Sequence, residues 1–584
     1  MKLFTIAIIS IFFSGVLESC VKPDPAKPND QNQLSDIWIA VPGKGVAETK
    51  FNGVVNASQD TIYFNLPAEF PFGSGKGIDL TQVMVRANIP VDARISPSLA
   101  SPQDLSNPLR VQLIAGNGIS KSVVLAARTN GINPDVDFRY NALNGRSTKI
   151  DPSYPYYKNR TAESIADEIA LAGYQAVHYM VVNELEVRSD LVDAFHQRGI
   201  AVWLLVFGNG TYSAWGFPAG WENWKMQVLN PGNVAAGFTY FSPFSASYVA
   251  WKKSVLASLV STIPFDGVEI FEPFFPDFAW NGIENAIYGD IGPNAQQAFQ
   301  QKHGLSIPNF TNPADPNYYK TNTSLYNTWV QFRVDGLKDM HTEIFNGANG
   351  IRAARPDILV GAWGVGLNWG GAVSLLRELQ GLDGASLVTA LNPDIYFLET
   401  HWPDWIKTDL TPGYITDYQP FFDQVRNVKP NLPIGIQTDY GSHRNMIRSA
   451  SWMHDFDSIA TQRGYSTSMG YEYHIGGTTY FVKPKPVKAA RQSNGSIIIS
   501  FNKRIDATTG GDANHYVFKQ NGAVQQVNLT SVTVDGNRVI LQAGNFPAGS
   551  FEIAVSYIQD TPSLWLFTDF PANEVVAGSM VTVP

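Results

Sequence analysis

From Asp135 to Tyr473 the sequence switches eight times between short apolar runs and amphipathic segments, and this alternation restricts the fold more than any other feature. The runs are VDFRY (136–140), AVHYMVV (176–182), AVWLLVF (201–207), GVEIFE (267–272), DILVGAWG (357–364), DIYFLET (394–400), PIGIQTD (433–439) and STSMGYEY (466–473). Their β-branched and aromatic content suits buried strands. Between them lie helical stretches. Residues 161–171 set Ile165, Ile169 and Ala172 on one face, with acids in the first turns, and residues 191–198 stop at Gly199. Further helices are expected at 247–261, around 326–354, and at 373–379, 421–428 and 446–462. Eight strands, most followed by a helix, predict a (β/α)8 TIM barrel with long loops over residues 131–481. A doubly wound sheet would need a phosphate-type glycine loop after its first strand, and NALNGRSTK does not fit that pattern.

The flanks read differently. Residues 35–130 carry IWIAV, TIYFNL, QVMVRANI, RVQLIAG and KSVVLAA, short runs separated by Gly, Pro, Asn and Ser. They predict a β-sandwich of immunoglobulin-like type. A Lys/Pro linker at 481–486 leads into residues 482–584, where SIIISFNK, YVFKQ, VTVDGNRVILQA and SFEIAVSYI predict a second sandwich. The chain is therefore expected to be multidomain: an N-terminal β-sandwich, a central barrel and a C-terminal Ig-like β-sandwich.

The N-terminus reads as a leader. Lys2 is followed by an apolar stretch at 4–16, too short and badly flanked for a stable membrane span. Leu17-Glu18-Ser19-Cys20 resembles a bacterial lipobox, which implies acylation of Cys20 and removal of residues 1–20. A Pro-, Asp-, Asn- and Lys-rich tether follows over 21–34. Such a tether after the cysteine resembles surface-exposed lipoproteins of the Bacteroidetes type. Cys20 is the only cysteine, so neither disulfides nor a zinc-type cysteine cluster can form. A net charge of -9 gives a nucleic-acid partner no electrostatic support.

In a (β/α)8 barrel, functional side chains come from the C-terminal strand ends. The carboxylates expected there are Glu184, Glu186, Glu272, Glu399, Asp439 and Glu472, with Arg139, His178, Trp363, His401, Trp402, Trp405, Tyr440, His443 and His474 as neighbours. Glu272 ends the fourth strand and is followed by Pro273, Phe274, Phe275, Phe278 and Trp280, a loop that ordinary loop chemistry would make polar. Aromatic faces stack on pyranose rings, and apolar surroundings raise a carboxyl pKa towards general-acid use. Glu269 lies mid-strand and is expected to pair inside the barrel.

Phe271-Glu272-Pro273 and Thr438-Asp439-Tyr440-Gly441 resemble the Asn-Glu-Pro and Thr-Glu-Phe/Tyr-Gly signatures of the large clan of retaining (β/α)8 glycosidases. DGVEIFEP followed by GPNAQQAFQQKHG also resembles uncharacterised glycosidase-like barrels. The resemblance covers the barrel only. It implies Glu272 as acid/base and Asp439 at the nucleophile's place. Two departures matter: Phe271 replaces the asparagine, and Asp439 is one methylene shorter than Glu. Retaining chemistry needs carboxyls about 5–5.5 Å apart and inverting chemistry about 6.5–9.5 Å. Asp439 as an inverting base and Glu399 as the true partner both stay open. SFNKRIDATTGGDANHYVF resembles Ig-like modules that accompany secreted glycanases, through Phe501, Asp506, Thr509, Asn514 and Tyr516.

The expected function is a lipid-anchored glycoside hydrolase at the outer membrane. It acts on a polysaccharide or oligosaccharide without cofactor or metal. Substrate contacts are expected from Arg139, His178, Trp363, His401, Trp402, Trp405, Tyr440 and Glu472. The rival is a non-catalytic glycan-binding lipoprotein on the same scaffold. A metal-dependent hydrolase using His178, His401, His443 and His474 is a third reading, although no His-x-His or His-Glu-x-x-His spacing occurs.

Overall fold

The computed structural model describes residues 30–32, 34, 36–41, 49–55, 60–66, 77–90, 92–128, 138–233, 237–276, 283–472 and 476–584. The leader, Cys20, Phe278, Trp280 and His474 lie outside the described residues, as does most of the 21–34 tether.

A closed barrel of eight parallel strands occupies the centre: β1 (Ser147–Ile150), β2 (Ala176–Val181), β3 (Ala201–Phe207), β4 (Gly267–Phe271), β5 (Leu359–Val365), β6 (Ile395–Glu399), β7 (Ile434–Thr438) and β8 (Thr467–Gly470). β8 closes on β1 through Met469 opposite Ser147 and Gly470 opposite Thr148. Its interior is filled by large side chains set against glycines. Trp203 meets Phe397 edge to face, with centroids 5.2 Å apart. A Cβ on Gly267 would stand 2.3 Å from Trp203, and one on Gly361 or Gly435 would stand 2.7 Å from Phe397. Small residues on neighbouring strands therefore set the volume available to the two rings.

The expected first strand is wrong. Arg139 and Tyr140 open a helix, Arg139–Asn144, and the strand follows Gly145. The helix closes the N-terminal end of the barrel. Its Phe138 cap stacks on His196 at 4.6 Å, and the Ala142 carbonyl accepts from Trp203 Nε1 at 3.1 Å. VDFRY is too short to separate a strand from a helical turn by periodicity. The expected long helix is two, Thr323–Asn346 and Ile351–Ala354, parted at Gly347 and Gly350. Pro293–His303 forms the helix of the excursion after β4.

The N-terminal module is a mixed sheet of seven strands in one continuous pairing order, containing a parallel pair, Thr61–Asn65 with Ser120–Arg128. The C-terminal module holds two four-stranded antiparallel sheets. Ile497, Ile499 and Phe501 from one share a core with Phe518, Ile553 and Val555 from the other. Asp506 caps the helix Ala507–Gly510 through the backbone N–H groups of Thr508 and Thr509.

This C-terminal module packs closely on the barrel. Trp565 stacks on Tyr156, in the loop after β1, with centroids 5.0 Å apart. The Tyr156 hydroxyl accepts from the Arg504 backbone at 2.9 Å. Buried Lys503 pairs with Asp560 at 2.6 Å and donates to the carbonyls of Thr478, Thr479 and Val482.

Candidate active site

Glu272 follows the last residue of β4 and has a φ of +50°. A side chain there is unusual, and a residue before proline normally prefers extended backbone. The conformation costs about 1–3 kcal/mol and must be imposed by the surroundings. Those surroundings are specific. Gly208 donates its N–H to the Phe271 carbonyl at 2.7 Å, and a Cβ on Gly208 would stand 2.5 Å from Pro273. Asn209 Nδ2 holds the Phe274 carbonyl at 3.2 Å. Phe271 packs on Phe207 with centroids 4.5 Å apart. The loop is thereby clamped to the end of β3, and the half-buried Glu272 is held at the mouth.

Burial pushes the Glu272 carboxyl up to about 7, against the opposing charge of Lys149. Glu399, the last residue of β6, is buried and accepts from the Tyr471 hydroxyl at 2.5 Å and from Trp363 Nε1 at 3.3 Å. Burial raises its carboxyl well above the usual range, and the charge of Glu272 raises it further. Tyr471, Lys149 and Trp363 oppose that rise. The carboxyls at the ends of β4 and β6 are therefore near enough to repel, and each ionises reluctantly while the other is charged.

Lys149 projects from β1, is only 9 % exposed, and lies over the Tyr471 ring, 4.0 Å from its centroid. Its charge also favours ionisation of Glu472, a buried carboxyl after β8. Glu472 accepts from the Tyr157 hydroxyl at 2.6 Å and from the Asp151 backbone. Burial nonetheless pushes it up to about 8. Tyr212 and Tyr240, from the loop after β3, both feel the charge of Glu272.

Asp439 is near this group, since its charge reaches Tyr471 and Tyr154, but its own hydrogen bonds are local. One carboxyl oxygen accepts from the backbones of Gly441 at 2.7 Å and Ser442 at 2.9 Å, and the other from the Ser442 hydroxyl. Both oxygens take part in closing a turn. Tyr440 is packed outside the barrel against Trp452 and Phe456, filling the space over Gly470. Arg139 is at the opposite end, paired with Asp394 just before β6 at 3.1 Å. His178 lies inside the barrel with Nδ1 2.6 Å from Glu269. Glu184 is buried in an ion pair with Lys252, while Glu186 and His443 are exposed.

The tryptophans divide. Trp363 is buried beneath Glu399, and Trp405 is buried with its Nε1 on Thr400 at 2.7 Å and its ring against Tyr471. Trp402 is exposed. An exposed platform of all three is therefore excluded. Tyr212 and Trp215, after β3, are exposed aromatics that lie beyond the strand ends and carry no motif. His401 is buried beside Trp402, and burial lowers its imidazole to about 4. Lys149, Gln437 and Tyr471 also escaped sequence reasoning. They carry no motif, and only the barrel's inward alternation points to them. Among the described residues, no group of three or more His, Cys, Asp or Glu side chains is placed to hold a metal ion.

Residues 15–127 match a family described as a domain of unknown function, DUF5018. No curated protein matches the chain. Several solved structures do. The glycoside hydrolase domain of PgaB (BpsB) from Bordetella bronchiseptica is 15% identical; the match covers 57% of this chain and 94% of that one, with a TM-score of 0.42. An endo-β-1,4-mannanase from Thermotoga petrophila is 9% identical, over 77% of this chain and 100% of that one, with a TM-score of 0.33. A β-galactosidase from Bacillus circulans is 12% identical, over 56% of this chain and 50% of that one, with a TM-score of 0.37. The eight-stranded closure is established by the strand pairing itself.

Proposed function

We propose that this chain hydrolyses glycosidic bonds at the barrel mouth, with Glu399 as the proton donor and Glu272 as the second carboxylate. The observation that carries this reading is Glu272 itself: a side chain held in left-handed backbone, raised to about 7, and electrostatically opposed to Glu399. Burial raises the Glu399 carboxyl well above the usual range, which suits holding a proton for a leaving glycosidic oxygen. Glu272, the less buried of the two and opposed by the charge of Lys149, suits the ionised partner that attacks the anomeric carbon or activates a water. The proton lost by Glu399 goes to the departing hydroxyl, and the incoming water restores one proton to the pair. This reverses the role that the sequence resemblance gives Glu272 and leaves Asp439 as a turn-closing residue. The comparison with glycoside hydrolases is compatible with this reading without carrying it.

The wider setting belongs to the same proposal. The mature chain is anchored through lipid on Cys20 at the outer membrane. The sheet modules act as spacers of immunoglobulin-like type, and a glycan is the partner. Turnover by the full mature chain on a panel of neutral and acidic oligosaccharides tests the activity, read as new reducing ends. Product anomers by NMR distinguish retention from inversion. Binding without turnover across the panel overturns the enzyme and favours a glycan-binding scaffold.

A further inference from the structure

A chain of hydrogen bonds crosses the barrel beneath Glu399. His178 Nδ1 lies 2.6 Å from Glu269 Oε2. Gln437 Nε2 donates to Glu269 Oε1 at 2.7 Å. Trp363 Nε1 is shared, 3.2 Å from Gln437 Oε1 and 3.3 Å from Glu399 Oε2. The side chains come from β2, β4, β7, β5 and β6, and all five residues are buried.

The donor and acceptor roles follow from chemistry. An indole N–H only donates, so Gln437 must turn its oxygen towards Trp363. Its NH2 then faces Glu269, which accepts. A flipped amide would set NH2 against the indole N–H and oxygen against the carboxylate, two mismatches between buried groups. Glu269 therefore holds Gln437 in one orientation. Gln437 in turn competes with Glu399 for a single indole proton.

We propose that Glu269 and Gln437 are positioning residues for Glu399: Glu269 locks the Gln437 amide, and the amide draws part of the Trp363 hydrogen bond away from the Glu399 carboxylate. The inference takes Glu399 as the acid of the proposed reaction. A hydrogen bond to a carboxylate favours its charged form, so sharing that bond helps Glu399 keep its proton. The other groups facing Glu399 are Glu272 from the β4 end, Lys149 from β1 and Tyr471 after β8, and the substitutions below leave all three in place.

The test is an infrared pH titration of the full mature chain, needing no substrate. The acid C=O band of Glu399 is assigned by its loss in Glu399→Gln. In Gln437→Leu the indole N–H is released wholly to Glu399, and the midpoint falls by about half a pH unit or more. In Trp363→Phe the donor is gone, and the midpoint rises by about as much. Glu269→Gln/Gln437→Leu shifts no further than Gln437→Leu alone, because both act through one amide. Loss of packing alone would not move adjacent substitutions in opposite directions. Midpoints unmoved in variants that melt like the parent, or moving the same way, overturn the proposal. Gln437→Met replaces the leucine variant if that one does not fold, since it too removes the amide that competes for the indole proton. Absence of glycan turnover overturns the glycosidase reading without touching this titration.

Discussion

Tyr157 donates its hydroxyl to Glu472 at 2.6 Å, tying the loop after β1 to the end of β8 where the barrel closes. Burial raises Glu472 from 4.5 to about 8, so the folded chain holds a proton that the unfolded chain releases. The stability this contributes is complete below about pH 4.5 and is lost as pH rises through about 8. Glu472→Gln cannot lose that proton. Its melting temperature at pH 8.5 should exceed the parent's by about 2–4 °C, with little difference at pH 5, by calorimetry.

The two carboxyls separate by leaving group. Glu399→Gln should cost about two orders of magnitude or more on a natural glycan and much less on an activated aryl glycoside. Glu272→Gln should slow both alike. The ascending limb of the parent's pH–rate profile should sit near 7, where Glu272 ionises, and Lys149→Met should move it upward by removing an opposing charge. Asp439→Asn should leave the profile in place.

Strain at Glu272 has a measurable cost. Glu272→Gly should abolish turnover yet stabilise the chain by about 1 kcal/mol in urea, since glycine accepts a positive φ. Gly208→Ala should do the reverse of stabilising: its methyl meets Pro273 at 2.5 Å, and the displaced Glu272 should lose about tenfold or more in rate.

Exposed and buried aromatics should behave oppositely. Ala at Tyr212, Trp215 or Trp402 should weaken oligosaccharide binding by calorimetry with melting within about 0.5 kcal/mol of the parent. Trp363→Ala and Trp405→Ala should cost about 3–5 kcal/mol of stability.

If Cys20 carries the anchor, the mature protein should fractionate with membranes and show acyl mass on its N-terminal peptide. Cys20→Ala should be mislocalised while melting normally, because no disulfide is lost. Recovery of unmodified parent protein from the medium would count against the anchor.

The second to seventh strands could be read from sequence because six apolar runs each exceed what a turn can hold, and the eighth followed from its place after the last helix. The first could not. STKI is polar by composition, and its Lys149 points into the mouth, so burial there is driven by pairing with β2 and β8 rather than by apolar content. Glu272, Glu399 and Glu472 were legible as carboxylates at strand ends. Asp439 sat in a familiar four-residue pattern, yet Ser442 and the following backbone consume it. Local motifs do not reveal which acceptors a turn will claim. Gln437 and Tyr471 were invisible because their importance comes from cross-barrel neighbours far away in the chain.

Trp565 lies in the C-terminal module, yet it sits in the barrel's own core, against Tyr156 and Tyr157. The second of those tyrosines holds Glu472. A chain ended at Pro486 would therefore lose more than an appendage. The loop that follows β1 would be left without its outer wall, and one of the three mouth carboxyls without its fixed partner. What looks like a hinge between modules is a shared wall, and the unit that keeps the mouth in shape includes Trp565.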